Sequence, residues 1–163
     1  MNIYPYDRDA AVAYAHDMAF KRNKDYYDFS EIGGDCTNFV SQCLYAGTGV
    51  MNGASDGWYY YGLNNRSPSW TSVTYLYKFL TSNKGSGPFG HAGTIEELSE
   101  GDIVQLKLAE ADFSHSLLVV DVGRPLGLGS VLIAAHSIDS DYRPLSTYTI
   151  SDKRFIIIDG YRK

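Results

Sequence analysis

Along residues 7–22, DRDAAVAYAHDMAFKR, the side chains Ala11, Val12, Tyr14, Ala15, Met18 and Ala19 recur every three or four positions. That period places them on one face of a helix. Asp7 stands where an N-cap belongs and basic residues close the segment, so a first helix is predicted over 7–22. Residues 35–46 repeat the pattern, with Cys36, Phe39, Val40, Cys43 and Leu44 on one face and Gly47 as the stop. Residues 47–70, rich in Gly, Asn, Ser and Tyr, read as a long surface excursion. A third helix follows at about 71–82, with Val73, Leu76, Tyr77 and Leu80 turned inward.

The second half changes period. After the loop NKGSGPFGHAG and a short turn at 95–99, GDIVQLKL (101–108) reads as a strand. HSLLVVDV (115–122) and SVLIAAHS (130–137) are near-continuous apolar runs rich in β-branched residues, hence buried strands, joined by the turn-rich connector 123–129. TYTIS and RFIIIDGY add one or two more. Helices first and then antiparallel strands predict an α+β domain, its N-terminal helices packed on one face of a C-terminal antiparallel sheet. With no internal repeat, the 163 residues are expected to form a single domain over 1–163.

Composition narrows the function. The net charge is −5 and the basic residues are scattered, which argues against a nucleic-acid partner, since that requires a cationic stripe. No apolar run approaches the roughly 18 residues of a membrane span. The opening residues lack a basic start followed by an apolar stretch, so no secretory signal is expected, and the chain reads as released another way or cut from a longer one. Fourteen tyrosines, seven phenylalanines and two tryptophans suit either peripheral packing or a polar groove that stacks sugars or peptides.

The two cysteines, Cys36 and Cys43, lie seven apart, about 10.5 Å along a helix. A disulfide tolerates Cα separations to about 7 Å, so the two do not bridge if the helix forms. In GGDCTNFVSQ, Asp35 is placed to cap the second helix and Cys36 falls in its first turn. There the helix dipole favours a thiolate, and unpaired backbone N–H groups stand where an oxyanion would form. Cys43, deeper on the apolar face, reads as a small core residue.

A cysteine nucleophile needs a base and an orienting group. His16 lies inside the first helix and reads as an ordinary partly buried side chain, and His91 falls in a Gly- and Pro-rich loop. His115 opens one predicted strand and His136 closes the next. If these strands form a hairpin through 123–129, the two histidines meet at one end of the sheet. A metal site of Cys36, His115 and His136 is the competing chemistry, since a thiolate with two imidazoles suits zinc. A non-catalytic binding module is the bland alternative.

DCTNFV resembles the signature of the NlpC-like and CHAP cell-wall cysteine hydrolases, a papain-like group. GGDCTNFVSQCLYAG, with YDRDAAVAYAHDMAFKRNKDYYDFS, WYY, SPSW, GDIVQL, SHSLLVV and AAHSID, is similar to the putative amidase domain of Gram-positive bacterial and phage proteins, from about residue 4 to 145. The resemblance implies a papain-like α+β fold with Cys36 as nucleophile, His115 as general base and His136 as the third, orienting member, Asp139 being the alternative third member. It implies no cofactor and no metal, and it sets the zinc reading aside. The substrate it implies is peptidoglycan, cut at an amide bond: the N-acetylmuramoyl–L-alanine bond of an endolysin or autolysin, with an endopeptidase, a thiol acyltransferase or a wall-binding adaptor as alternatives. Its setting would be the bacterial cell wall, with a separate wall-binding domain in a longer chain. Thr37 beside the nucleophile, Tyr26 or Tyr27 upstream of it, and Trp58 and Tyr59 in the excursion are the candidates for oxyanion contact and groove walls.

Overall fold

The computed structural model describes residues 1–109 and 111–163. Strand β1 (Ile3–Tyr4) is followed by helix α1 (Arg8–Met18), capped by Asp7, whose carboxylate accepts from the Ala10 N–H at 3.0 Å. Helix α2 (Cys36–Thr48) comes next. A two-stranded ribbon of β2 (Tyr60–Gly62) and β3 (Asn65–Arg66) leads to the short α3 (Pro68–Thr71) and to α4 (Val73–Ser82). Then come β4 (Gly87–Gly93), β5 (Ile103–Lys107), β6 (His115–Val122), β7 (Val131–Ala135), β8 (Ser140–Pro144) and β9 (Asp152–Arg162). The main sheet runs β1-β9-β5-β6-β7-β8 with β4 also paired to β9, and every pairing is antiparallel. Four α-helices and this sheet make the mixed, mostly antiparallel architecture that the change of period predicts. None of the described helices is long and apolar enough to cross a membrane.

The sheet is covered on both faces, which explains why β6 reads as a continuous apolar run rather than an alternating one. Leu118 and Val120 join Ile103, Ala134, Ile156 and Ile158 under the helices, against Phe39, Val40, Leu44, Leu76 and Leu80. Leu117 and Val119 point the other way and pack with Val104, Leu106, Ile133, Phe155 and Leu145. That second face is closed by the segments carrying Leu126, Leu128, Tyr148 and Ile150.

Several boundaries differ from the sequence expectation, beginning with α1, which ends at Met18 and not at 22. The loop NKGSGPFGHAG contains β4, which pairs along β9 from Gly87↔Arg162 to Gly93↔Phe155 despite its glycines, because a long neighbouring strand supplies the ladder. TYTIS is not a strand; it follows a 3₁₀ turn and lies over the second face. Helix α2 runs through Gly47 and stops at Gly49, whose φ of 64° is the left-handed cap geometry, its N–H donating to the Tyr45 carbonyl.

Gly47 has a packing role instead. A Cβ there would fall 2.8 Å from the Asp7 carbonyl oxygen and 2.9 Å from Tyr6 Cδ1, and would also press on Tyr6 Cε1. Tyr6 is itself fixed, donating its hydroxyl proton to the Gly101 carbonyl at 2.9 Å. Helix propensity alone favours Gly47→Ala by about 1 kcal/mol, whereas overpacking against backbone costs about 1–3 kcal/mol. The expected outcome is a net loss of stability, read as a lower urea midpoint; a raised midpoint would refute the packing role.

Candidate active site

Two glycines steer the chain into α2. Gly33 and Gly34 hold φ of 78° and 96°, a region costly for residues with a Cβ, and nothing lies within 4 Å of where either Cβ would be. Backbone geometry therefore calls for glycine here, not lack of space. The next residue, Asp35, is 1% exposed and stands at the N-cap position, yet its side chain makes no capping bond.

Its carboxylate is engaged elsewhere. Oδ1 accepts from the Phe29 backbone N–H at 2.9 Å and from Asn38 Nδ2 at 2.9 Å. Oδ2 accepts from His136 Nδ1 at 2.7 Å, a pair in which both partners are almost fully buried. The far nitrogen of His136, Nε2, lies 2.8 Å from the Met18 carbonyl oxygen and 3.1 Å from Arg22 Nη1. Phe39 packs on the imidazole with centroids 4.2 Å apart. Arg22 completes the cluster, donating to both oxygens of Asp139 at 2.9 and 3.0 Å, with its Nε 3.3 Å from Asp28 Oδ1.

Cys36 is the first residue of α2 and is partly exposed, whereas Cys43 is fully buried, and both are free thiols. Burial pushes the Cys43 thiol well above its ordinary range, so it stays a neutral core group. The Cys36 sulfur lies 3.8 Å from the Ser114 carbonyl oxygen, one residue before His115, and 3.7 Å from Thr37 Oγ1. A cleft of about 250 Å³ is lined by Ser30, Gly34, Cys36, Ser114, His115 and Ser137, among others. The Ser114 hydroxyl oxygen is buried with no partner among the described residues.

Thr37 is pinned below the cleft. Its Oγ1 lies 2.9 Å from Ser116 Oγ, which accepts from Gln105 Nε2 at 3.2 Å. Gln105 also accepts from Arg154 Nε at 2.7 Å, joining α2 to β6, β5 and β9. Desolvation pulls the Arg154 guanidinium below its ordinary range, with Tyr77 at 3.9 Å and Phe113 at 4.1 Å from its Cζ.

The hairpin expectation matches the register: β6 and β7 pair from Leu118↔Ala134 to Val122↔Val131, so the start of one and the end of the other share a sheet edge. His136 meets Asp35 through Nδ1 and Met18 and Arg22 through Nε2, and no hydrogen bond joins it to His115 among the described residues. Asp139, the alternative, is committed to Arg22.

None of the aromatic candidates lines the cleft. Trp58 is fully buried and donates from Nε1 to Ser41 Oγ at 3.1 Å; it stacks near Trp70, which donates to Asn38 Oδ1 at 3.0 Å. The pair anchors α2 from behind and does not wall a groove. Tyr26 stacks on Trp70 and meets Tyr60 at a tilt, and burial lifts its phenol to about 12. Tyr27 gives its backbone carbonyl to Asn38, and Tyr59 stacks on the exposed Tyr61. His16 pairs with Asp141 at 2.8 Å, and His91 bridges Asp159 and Glu97 on β4. No group of three His, Cys, Asp or Glu side chains among the described residues is arranged to hold a metal ion.

Removing the partner of a buried, hydrogen-bonded carboxylate costs about 3–5 kcal/mol. His136→Ala is therefore expected to lower unfolding free energy by about that amount in urea titration, since Asp35 stays buried without its strongest donor. A loss below about 1 kcal/mol would contradict the buried pairing. Cys36→Ala, at a partly exposed position with only weak sulfur contacts, is expected to leave stability within about 0.5 kcal/mol.

The family model described as "Putative amidase domain" matches residues 5–158. The chain is also 35% identical over 121 residues to "Uncharacterized protein YhbB" of Bacillus subtilis (strain 168), covering 72% of this chain and 38% of that protein. The chain thus spans well under half the length of that relative. No solved structure matches it significantly. Amidases cleave amide bonds with water, so the family points to a hydrolase, and with residues 5–158 of the chain inside the match this protein belongs to the putative amidase domain family.

Proposed function

We propose that this protein hydrolyses an amide bond of bacterial peptidoglycan through a Cys36 nucleophile and a His115 general base, on a papain-like scaffold related to the NlpC-like and CHAP hydrolases. The bond favoured is N-acetylmuramoyl–L-alanine. The observation that carries the reading is the first turn of α2: a partly exposed thiol opens a 13-residue helix, beside the residue that precedes His115, in a cleft that both line.

The uncapped helix start supports the same reading. The Asp35 carboxylate bonds Phe29, Asn38 and His136 and leaves the first N–H groups of α2 uncapped by its own side chain. Those groups are the donors an oxyanion requires. The Ser114 hydroxyl, buried without a partner on the cleft wall, adds a candidate side-chain donor.

In this mechanism the Cys36 thiolate attacks the scissile carbonyl carbon, and the oxyanion is held by the N–H groups at the start of α2. The imidazolium of His115 gives its proton to the departing nitrogen as the C–N bond breaks, leaving a thioester. Water then attacks the thioester, its proton passing to His115, and the thiolate leaves as the acid is released. No metal or cofactor takes part in these steps.

Cys36→Ala is expected to abolish cleavage of purified cell walls, and His115→Ala to lower it by at least about 100-fold, while Cys43→Ala retains it. Loss of turbidity measures the rate, and mass spectrometry of the products identifies the new amino terminus. Alanine at that terminus fits the favoured bond; another residue assigns an endopeptidase. Undiminished cleavage by Cys36→Ala would overturn the mechanism, and no cleavage by the parent would favour a wall-binding module.

A further inference from the structure

A second hollow adjoins the cleft. It has a volume of about 650 Å³ and shares His115 and Ser137 with the smaller cleft, so the base stands in the wall between them. Its walls include Leu117 and Ile150, which belong to the apolar cluster under the second sheet face, and Ile138, which is 82% exposed. Arg143 and Tyr148 complete one side.

Arg143 is held in one pose. Its Cζ lies 3.7 Å over the Tyr148 ring, its Nε donates to Thr147 Oγ1 at 2.7 Å, and its Nη2 donates to the Thr147 carbonyl at 3.4 Å. It pairs with no carboxylate among the described residues, unlike Arg8 and Arg22, which bind Asp102 and Asp139. Burial pushes the Tyr148 phenol up while the Arg143 cation pulls it down. A pre-oriented guanidinium with no carboxylate partner among the described residues is a fork that can accept one, and in a chain of net charge −5 it is a local exception to the field an anion meets.

We propose that this hollow is the subsite for a carboxylate-bearing peptide segment next to the scissile amide: Arg143 binds the free carboxylate, and the apolar wall of Leu117, Ile138 and Ile150 takes the neighbouring small side chain. A peptide fits better than a sugar because the one tyrosine ring in the wall already has a face covered by Arg143. The assignment rests on the hydrolase reading for its adjacency to a scissile bond, but ligand binding tests it separately.

The test is calorimetric titration of Cys36→Ala protein, in which no turnover interferes. The probes are N-acetyl-L-alanyl-D-isoglutamine, with one free carboxylate, and N-acetyl-L-alanyl-D-glutamine amide, with none. The acid is expected to bind about 5- to 10-fold more tightly at low salt, the range of a partly exposed charge-assisted contact. The preference should shrink at high salt, vanish when Arg143→Gln is added and persist in part with Arg143→Lys. Circular dichroism checks that both variants fold. Equal binding of the two probes, binding of neither, or an acid preference retained in Arg143→Gln would overturn the subsite. Wall cleavage by the parent, measured in parallel, separates the two claims: cleavage without acid preference removes only the subsite, and acid preference without cleavage removes only the hydrolase.

Discussion

The buried pair of Asp35 and His136, 2.7 Å apart and almost fully shielded from water, is the constraint on which the site depends. A carboxylate at the N-cap position ordinarily bonds the N–H groups of its own helix. Here it turns away from them and leaves the first turn of α2 without a cap bond from its side chain. The same carboxylate ties the Phe29 backbone and the Asn38 side chain to the end of β7. One acidic residue thus joins the glycine turn, the helix start and the sheet edge.

Around that point the fold acts as a clamp on α2. Behind the helix, Trp58 and Trp70 hold Ser41 and Asn38; beneath it, Thr37 meets Ser116 and Gln105; at Gly47 the ring of Tyr6 lies against the backbone. The only thiol with access to solvent among the two cysteines is at the end of the helix where these fixings leave a gap. Rigid placement of this kind lets a small catalytic group be held without strain in its own side chain.

Much of this was legible in the residues. Apolar periodicity marked the three main helices and the two buried strands to within a few positions, because each buries a continuous face of a two-sided sheet. The cysteine at a helix start and the two histidines at one sheet edge followed from cap and hairpin rules. What escaped was set by long-range pairing. β4 forms from a glycine-rich stretch because β9 templates it, and Asp35 abandons its cap because His136, 101 positions away, offers a buried donor. Arg22 gave no local sign of joining Asp139 across 117 positions. Trp58 misled in the same way: loop composition suggested a groove wall, but its indole N–H finds a partner inside the core, where polar burial demands one.

The account is tested most directly at the sulfur itself. Iodoacetamide added in limiting amounts, followed by fragment mass spectrometry and wall-cleavage assays on the same samples, compares modification of Cys36 with residual activity. The account predicts that alkylation falls on Cys36 and spares Cys43, and that activity disappears in one-to-one proportion to it. Full activity after complete alkylation of Cys36 would contradict it.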